Sequence, residues 1–129
     1  MLDVDHFKRV NDAYGHETGD RMLQELGRFL GDETRHGDVA CRFGGEEFVV
    51  VLPGASATAA AARAQVWRSA FERLVITHQG SDVGVTLSMG VAECPTHAAN
   101  ADDLLRAADV ALYEAKRQGR DRVVVASRP

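Results

Sequence analysis

Residues 39–52 read VACRFGGEEFVVVL, in which two β-prone runs, Val39 to Phe43 and Phe48 to Leu52, meet across Gly44-Gly45. Paired glycines let the chain reverse, and Pro53-Gly54 punctuates the far end, so the stretch predicts a β-hairpin whose turn carries Glu46 and Glu47. Before it, Met22, Leu23, Leu26, Phe29 and Leu30 recur at helical spacing, which predicts a helix opening at the start signals Thr18, Gly19 and Asp20. After it, Ser56 is placed to cap an alanine-rich helix with an apolar face expected along Ala59, Ala62, Val66, Ala70 and Leu74. Val85, Leu87, Met89 and Val91 alternate with Thr86, Ser88, Gly90 and Ala92, the period of a strand with one bulky face. Asp102 and Asp103 favour a further helix N-terminus, and the stripe Leu104, Ala108, Ala111, Leu112 and Ala115 runs on to a C-terminal glycine, Gly119. Val123 to Ala126 predicts a last strand, Thr77 to Asp82 a polar loop between strands, and Met1 to Val4 the end of a buried strand. Strands and helices therefore alternate around a single sheet, with no internal repeat and no linker. Because a strand usually runs about 5 to 6 residues, the reading expects further sequence ahead of Met1.

The 129 residues match a common domain size, enough for one core and too few for two, so a single domain over 1–129 is expected. Hydrophobic residues at 45% and charged residues at 26% exclude disordered and fibrous classes. Lys and Arg number 15 against 19 Asp and Glu, a net charge of −4, so no nucleic-acid partner is expected and any phosphate binding has to be local. The longest bulky apolar runs, Phe48 to Leu52 and Val123 to Val125, fall far short of the ~20 residues of a membrane span, and no membrane contact is expected. Cys41 and Cys94 allow at most one bridge and have no CxxC spacing. They argue neither for a disulfide scaffold nor for zinc, and both are expected as buried small hydrophobes in a reducing cytoplasm. No secretory signal is read within the chain.

Two acidic groups stand where a core does not require charge: Asp3 with Asp5 at the end of the first strand, and Glu46 with Glu47 after the glycines. Carboxylates at i and i+2 on a strand share a face, and a neighbouring hairpin would bring Glu46 close to them. Clustered hard oxygens suit Mg²⁺ or Mn²⁺, which take one or two carboxylates and leave other positions to water and phosphate, a pattern of phosphoryl or nucleotidyl transfer. The alternative is that these are ordinary acidic strand ends and turns. Gly44 and Gly45 weigh against it, because they clear side chains from the backbone beside the acids and permit close approach of a ligand.

Taken together, DVDHFKRVNDAYGHETGD (3–20), RHGD (35–38), VACRFGGEEF (39–48), SMGVAE (88–93) and ALYEAKRQGRDRV (111–123) resemble the GGDEF family of diguanylate cyclases across nearly the whole chain. The resemblance implies an α+β fold of the nucleotidyl-cyclase, polymerase-palm type: a central, largely antiparallel five-stranded sheet flanked by helices. It also implies condensation of two GTP into cyclic di-GMP and two pyrophosphates, as in bacterial second-messenger signalling. The family's preceding helix and DxLTGLxNR segment are not found in the chain, nor is the start of the first strand.

Carried over position by position, the resemblance implies that Asp3 and Glu46, with the main-chain carbonyl of Val4, are ligands of two divalent ions, Mg²⁺ or Mn²⁺. Glu47 would assist the attacking hydroxyl or a metal. Lys8 and the amides of His6 and Phe7 would meet phosphate oxygens where the chain enters a helix, and Lys116 and Arg120, four apart, would complete the phosphate contacts. Basic residues at a helix C-terminus also suit the macrodipole, by about 0.3 to 1 kcal/mol. Asn11 and Asp20 match the family's guanine-reading positions. Guanine's N1–H and N2 amino group are adjacent donors that a carboxylate accepts together, whereas adenine would leave Asp20 unpaired; a helix N-cap is the competing reading of Asp20. Arg35 and Asp38 match the RxxD site through which cyclic di-GMP inhibits many members, with Arg63 or Arg68 as candidates for an additional arginine.

The implied reaction requires two active sites face to face, hence a homodimer, because each triphosphate supplies the hydroxyl that attacks the other. An N-terminal sensor or receiver domain in a longer parent protein is expected, and such a parent could be membrane-anchored. The alternative function is a catalytically silent module binding GTP or cyclic di-GMP; Asp3, Glu46 and Glu47 favour the enzyme. A haloacid-dehalogenase-type phosphatase, suggested by a strand ending Asp-Val-Asp, fails at His6-Phe7 and leaves residues 44–47 unexplained. Trp67 is read as core, and His6, His16, His36, His78 and His97 show no metal spacing.

Overall fold

The computed structural model describes residues 1–129. In chain order its elements are β1 (Leu2–Val4), α1 (Phe7–Tyr14), α2 (His16–Glu33), β2 (Val39–Gly44), β3 (Glu47–Val51), α3 (Ala57–Glu72), β4 (Ile76–His78), β5 (Ser81–Val83), β6 (Leu87–Val91), α4 (Ala101–Arg117) and β7 (Arg122–Val125). Five strands form one sheet in the order β2-β3-β1-β6-β7, and β4 pairs with β5 alone. Within the sheet only β6 and β7 are parallel; the other three pairings are antiparallel. The fold is thus the expected α+β arrangement, a largely antiparallel sheet flanked by helices.

The hairpin at 39–52 folds as its sequence predicts. Cys41 lies opposite Val49 and Arg42 opposite Phe48, with a register irregularity before Gly44. Gly45 takes φ +32, a region that favours glycine.

Cross-strand partners share a face of the sheet, and the register sorts the side chains by chemistry. Leu2 stands between Phe48 and Met89, and Val4 opposite Leu87. These five join Met22, Leu23, Leu26 and Leu30 of α2 and Ala64, Trp67 and Phe71 of α3 in one apolar cluster. Each fully buried residue of this size contributes about 1.5–3 kcal/mol of transfer free energy. The other face carries Asp3 between Glu47 and Ser88, with Gly90 beyond. Here α4 lies very close: a Cβ on Gly90 would stand 2.1 Å from the Ala108 carbonyl oxygen and 2.3 Å from the Leu112 nitrogen. Buried Ala108, Ala111 and Ala115 make that approach possible. The small-residue face of β6 is therefore a helix seat, and both faces of the strand are buried rather than one.

Ser56 caps α3 as its sequence predicts, accepting the Ala59 N–H; at α4 Asp102 and Asp103 stand in the first turn as expected, and the cap itself is Asn100, which accepts the Asp103 N–H. Gly119 lies one residue past the α4 C-cap with φ +117. Four expectations are corrected. Helix α2 begins at His16 with Gly15 as N-cap, so Asp20 lies inside the helix and caps nothing; Thr18 and Gly19 are buried in its first turns, where the residues that looked like start signals allow close packing on α1. In α3 the buried residues are Ala64, Trp67 and Phe71, while Val66 is 62% exposed. A run of alanines gives little amphipathic contrast, and the two aromatic residues set the rotation. Residues 77–82 are not a loop but most of the β4–β5 hairpin, reversed at Gln79 and Gly80 with φ of +48 and +81, the backbone that two-residue hairpin turns demand. Cys41 and Cys94 are exposed, not buried. No helix is long and apolar enough to cross a membrane.

Candidate functional site

At the end of β1 the chain passes Asp5 and His6 and enters α1 at Phe7, with His6 in the left-handed region at φ +54. The start of α1 has no side-chain cap, so its first amide groups are free to meet an outside acceptor. Beside it is an open cleft of about 420 Å³ lined by Asp3, Val4, Asp5, His6, Phe7, Lys8, Arg9, Asp12, Glu46, Lys116 and Arg120. Residues more than a hundred positions apart thus converge, because β1 is central in the sheet and α4 crosses its polar face.

Asp3 is 3% exposed and accepts a hydrogen bond from the Lys116 ammonium. Burial pushes its carboxyl up to about 6; Lys116 opposes the shift through its hydrogen bond and charge, and Glu46 and Glu47 add to it by repulsion. Glu47 stands directly across from Asp3 in the register, and the Glu46 main-chain oxygen accepts the Val4 N–H at 3.4 Å. The β2–β3 turn therefore brings both glutamates to the end of β1, as the sequence reading required. Lys8 is exposed and pairs with Asp12 at 3.3 Å. Asp5 does not join the acidic group facing Lys116: Thr86 and Ser88 each donate to its carboxylate at 2.6 Å, and so does the Asp121 N–H at 3.0 Å.

A second cleft of about 420 Å³, between α2 and the hairpin, is lined by Asp20, Leu23, Gln24, Arg42 and Phe48. Sequence reading singled out only Asp20 here. Gln24 follows it by one helical turn, a spacing that could have marked it, and Arg42 enters through the β2 register. Asn11, on α1, lies against Gly19 of α2, and its Oδ1 is a buried acceptor with no partner in the chain. Such an atom costs free energy unless a ligand or water supplies a donor.

Arg35 and Asp38 form a closed turn between α2 and β2. The Arg35 N–H donates to Asp38 Oδ2 at 2.8 Å and the Asp38 N–H to the Arg35 carbonyl at 3.0 Å. Of the two candidate arginines, Arg63 reaches Asp38 at 2.9 Å and lies 5.1 Å over the Trp67 ring. Arg68 is turned away, paired with Asp121 at 2.6 Å. The Arg35 N–H first, and then Arg63, hold the Asp38 carboxyl below its ordinary value.

A largely antiparallel sheet with carboxylates from β1 and the β2–β3 turn at one cleft, together with a lysine from the end of α4 and an arginine from the turn that follows it, has the architecture of a nucleotidyl-cyclase-type α+β domain. Residues 1–122 match the family model described as diguanylate cyclase, GGDEF domain, and the chain belongs to this family. Diguanylate cyclase A of Treponema denticola is 42% identical over 125 residues, 97% of this chain but 34% of that protein. The chain thus spans about a third of such a relative. The GGDEF domain of YfiN from Pseudomonas aeruginosa superposes with a TM-score of 0.91 at 35% identity, over 99% of this chain and 80% of that one. The GGDEF domain of DgcB from Caulobacter crescentus, solved in complex with c-di-GMP, gives 0.87 at 33% identity over 96% and 74%.

Proposed function

We propose that this domain is a diguanylate cyclase that joins two GTP molecules into cyclic di-GMP and releases two pyrophosphates. The observation that carries the reading is the convergence of Asp3 and Glu46 with Lys8, Lys116 and Arg120 on one cleft at the start of α1. The donor set suits a divalent cation. Asp3 is a buried carboxylate crowded by two glutamates, a state that a cation relieves. Magnesium needs only one or two carboxylates, its other positions being taken by phosphate and water, and Asp3 and Glu46 line the cleft together. Asp3, Glu46 and the Val4 carbonyl would hold two such ions, which supply charge neutralisation of the triphosphate and a lower pKa for the attacking hydroxyl.

The protein groups divide the remaining work. Lys116, Arg120, Lys8 and the amides of His6 and Phe7 bind the phosphate oxygens, and Gly44 and Gly45 keep the backbone beside them clear of side chains. Asn11 and Asp20 hold guanine, the unpartnered Asn11 Oδ1 supplying an acceptor and Asp20 being free of any capping duty. In each step a 3′-oxygen forms a bond to the α-phosphorus of the other nucleotide. The bond to the bridging oxygen breaks, its electron pair leaves with pyrophosphate, and the hydroxyl proton passes to Glu47 or onward to solvent. Two steps close the ring, so two copies of the domain have to face each other. Arg35, Asp38 and Arg63 form the inhibitory product site, with the Arg35 turn preset by Asp38. An N-terminal sensor or receiver in a longer parent and a cytoplasmic location for this domain complete the proposal.

The test is incubation with GTP and Mg²⁺ over a range of protein concentrations, with products resolved by mass. Cyclic di-GMP rising faster than linearly with protein supports a dimeric cyclase, and Glu46→Ala should abolish it while leaving the melting temperature in place. GTP or cyclic di-GMP binding without product would favour the silent-module reading; binding of neither would overturn the site.

A further inference from the structure

The buried carboxylate of Asp5 is not a member of the acidic group but a tie between β6 and the α4–β7 turn. It is 4% exposed, and both its oxygens are occupied: Oδ1 by the Ser88 hydroxyl at 2.6 Å, Oδ2 by the Thr86 hydroxyl at 2.6 Å and by the Asp121 N–H at 3.0 Å. Its own N–H donates to the Thr86 carbonyl at 2.9 Å. The Asp121 contact is the informative one. Gly119, Arg120 and Asp121 take φ values of +117, +65 and +47, three consecutive residues in the left-handed region. Two are not glycine, and such residues persist there only when their surroundings hold them.

Five contacts hold this turn: the Gly119 N–H on the Lys116 carbonyl at 3.3 Å, the Arg120 N–H on the Ala115 carbonyl at 3.0 Å, the Arg122 Nε–H on the Arg120 carbonyl at 2.9 Å, the Arg68 ion pair to the Asp121 side chain at 2.6 Å, and Asp5 on the Asp121 N–H. Only the last joins the turn to β1, the strand that carries Asp3. Arg120 lines the cleft with Asp3 and Lys116, so its direction of approach depends on this left-handed backbone.

We infer that Asp5 is a positioning residue for triphosphate binding: by accepting the Asp121 N–H it fixes the Arg120–Asp121 turn and aims Arg120 into the cleft. The inference rests on the reading of Arg120 as a phosphate ligand. Affinity for GTP with Mg²⁺ is measured by calorimetry for the unaltered chain, Asp5→Ala, Asp5→Asn, Arg120→Ala and the Asp5→Ala/Arg120→Ala pair, with amide hydrogen exchange at Asp121 followed without nucleotide. Asp5→Ala is expected to weaken binding about tenfold, the middle of the range for residues in one hydrogen-bond network, and to add no further loss once Arg120 is gone. It also exposes the Asp121 amide to faster exchange. Asp5→Asn keeps an oxygen for the Asp121 N–H and turns its amide to the Ser88 hydroxyl, so it restores most of the affinity. Losses that multiply in the double variant, or unchanged exchange at Asp121, overturn the inference. So does an Asn variant as weak as Ala and rescued by excess Mg²⁺, which would make Asp5 an ion ligand. If Asp5→Ala does not fold, Thr86→Val, which removes one donor to the same oxygen, carries the same expectations at smaller size. Absence of GTP binding by the unaltered chain would overturn the proposed function instead, and exchange at Asp121 would still report whether Asp5 holds the turn.

Discussion

Lys116, in the last turn of α4, donates a hydrogen bond to Oδ2 of Asp3 in β1, so one contact joins residues 113 apart in sequence and ties the polar face of the sheet to its helix. The Lys116 side chain is 31% exposed and that of Asp3 5%. This is a pair at the edge of the interior, where removing one member leaves the other poorly solvated.

Lys116→Met keeps the length of the side chain and removes its charge. It should destabilise the metal-free protein at pH 7 by about 1–3 kcal/mol, the cost of stranding a charged acceptor, measured by urea unfolding. In an Asp3→Asn background the same change should cost clearly less. Equal costs in the two backgrounds would show that the ammonium and the carboxylate act independently.

How much of this was legible in the sequence depended on where contrast was strong. The hairpin was readable because glycines separate two β-prone runs, and the acidic pairs because charge stood at strand ends. Helix α3 and its Ser56 cap were readable but its buried face was not, since alanines carry almost no directional signal and Trp67 and Phe71 had to set the buried side. The start of α2 was misplaced because Gly19 looks like a breaker, whereas its lack of a side chain serves the packing on α1. For Arg63 and Arg68 the sequence offered two equal candidates, and only helix rotation separated the partner of Asp38 from that of Asp121. The tie from Asp5 to Asp121 spans 116 residues and leaves no local pattern.

The Asp38 carboxyl should titrate below its ordinary value of 3.8, as carboxyl NMR shifts would show, because the Arg35 N–H and Arg63 favour its charged form. A depressed acid contributes stability that is present above the unfolded value and lost as pH falls through the folded one. Any contribution from this turn should therefore vanish only in acid, below about pH 4. Arg63→Ala should move the midpoint part of the way back up, since the Arg35 N–H remains. An unchanged midpoint would mean that the ion pair does not form in solution.

Asp20 lies within α2, not at its cap. Asp20→Ala should therefore leave the melting temperature nearly unchanged, whereas loss of a cap costs about 1 kcal/mol. Discrimination between GTP and ATP, measured as a ratio of binding constants, should fall by about tenfold to a hundredfold, the worth of hydrogen bonds to a charged acceptor. A preserved ratio would remove Asp20 from base recognition.

Two glycines make opposite predictions for the same substitution, because what a new methyl group meets differs. At Gly90 the obstacles are backbone atoms of α4 at 2.1 and 2.3 Å, which cannot yield without moving the helix. Gly90→Ala should cost at least about 1–3 kcal/mol in a denaturant melt. At Gly19 the nearest obstacle, at 1.9 Å, is the Asn11 Oδ1, the end of a side chain that can swing aside. Alanine there also gains about 0.5–1 kcal/mol of helix propensity, so Gly19→Ala should change stability little. It should nevertheless displace the unpartnered acceptor assigned to guanine and weaken GTP binding. Adding Asn11→Ala should then bring no further loss. If Gly19→Ala binds GTP as tightly as the unaltered chain, Asn11 is not a base ligand, and its orphaned oxygen is met by water alone.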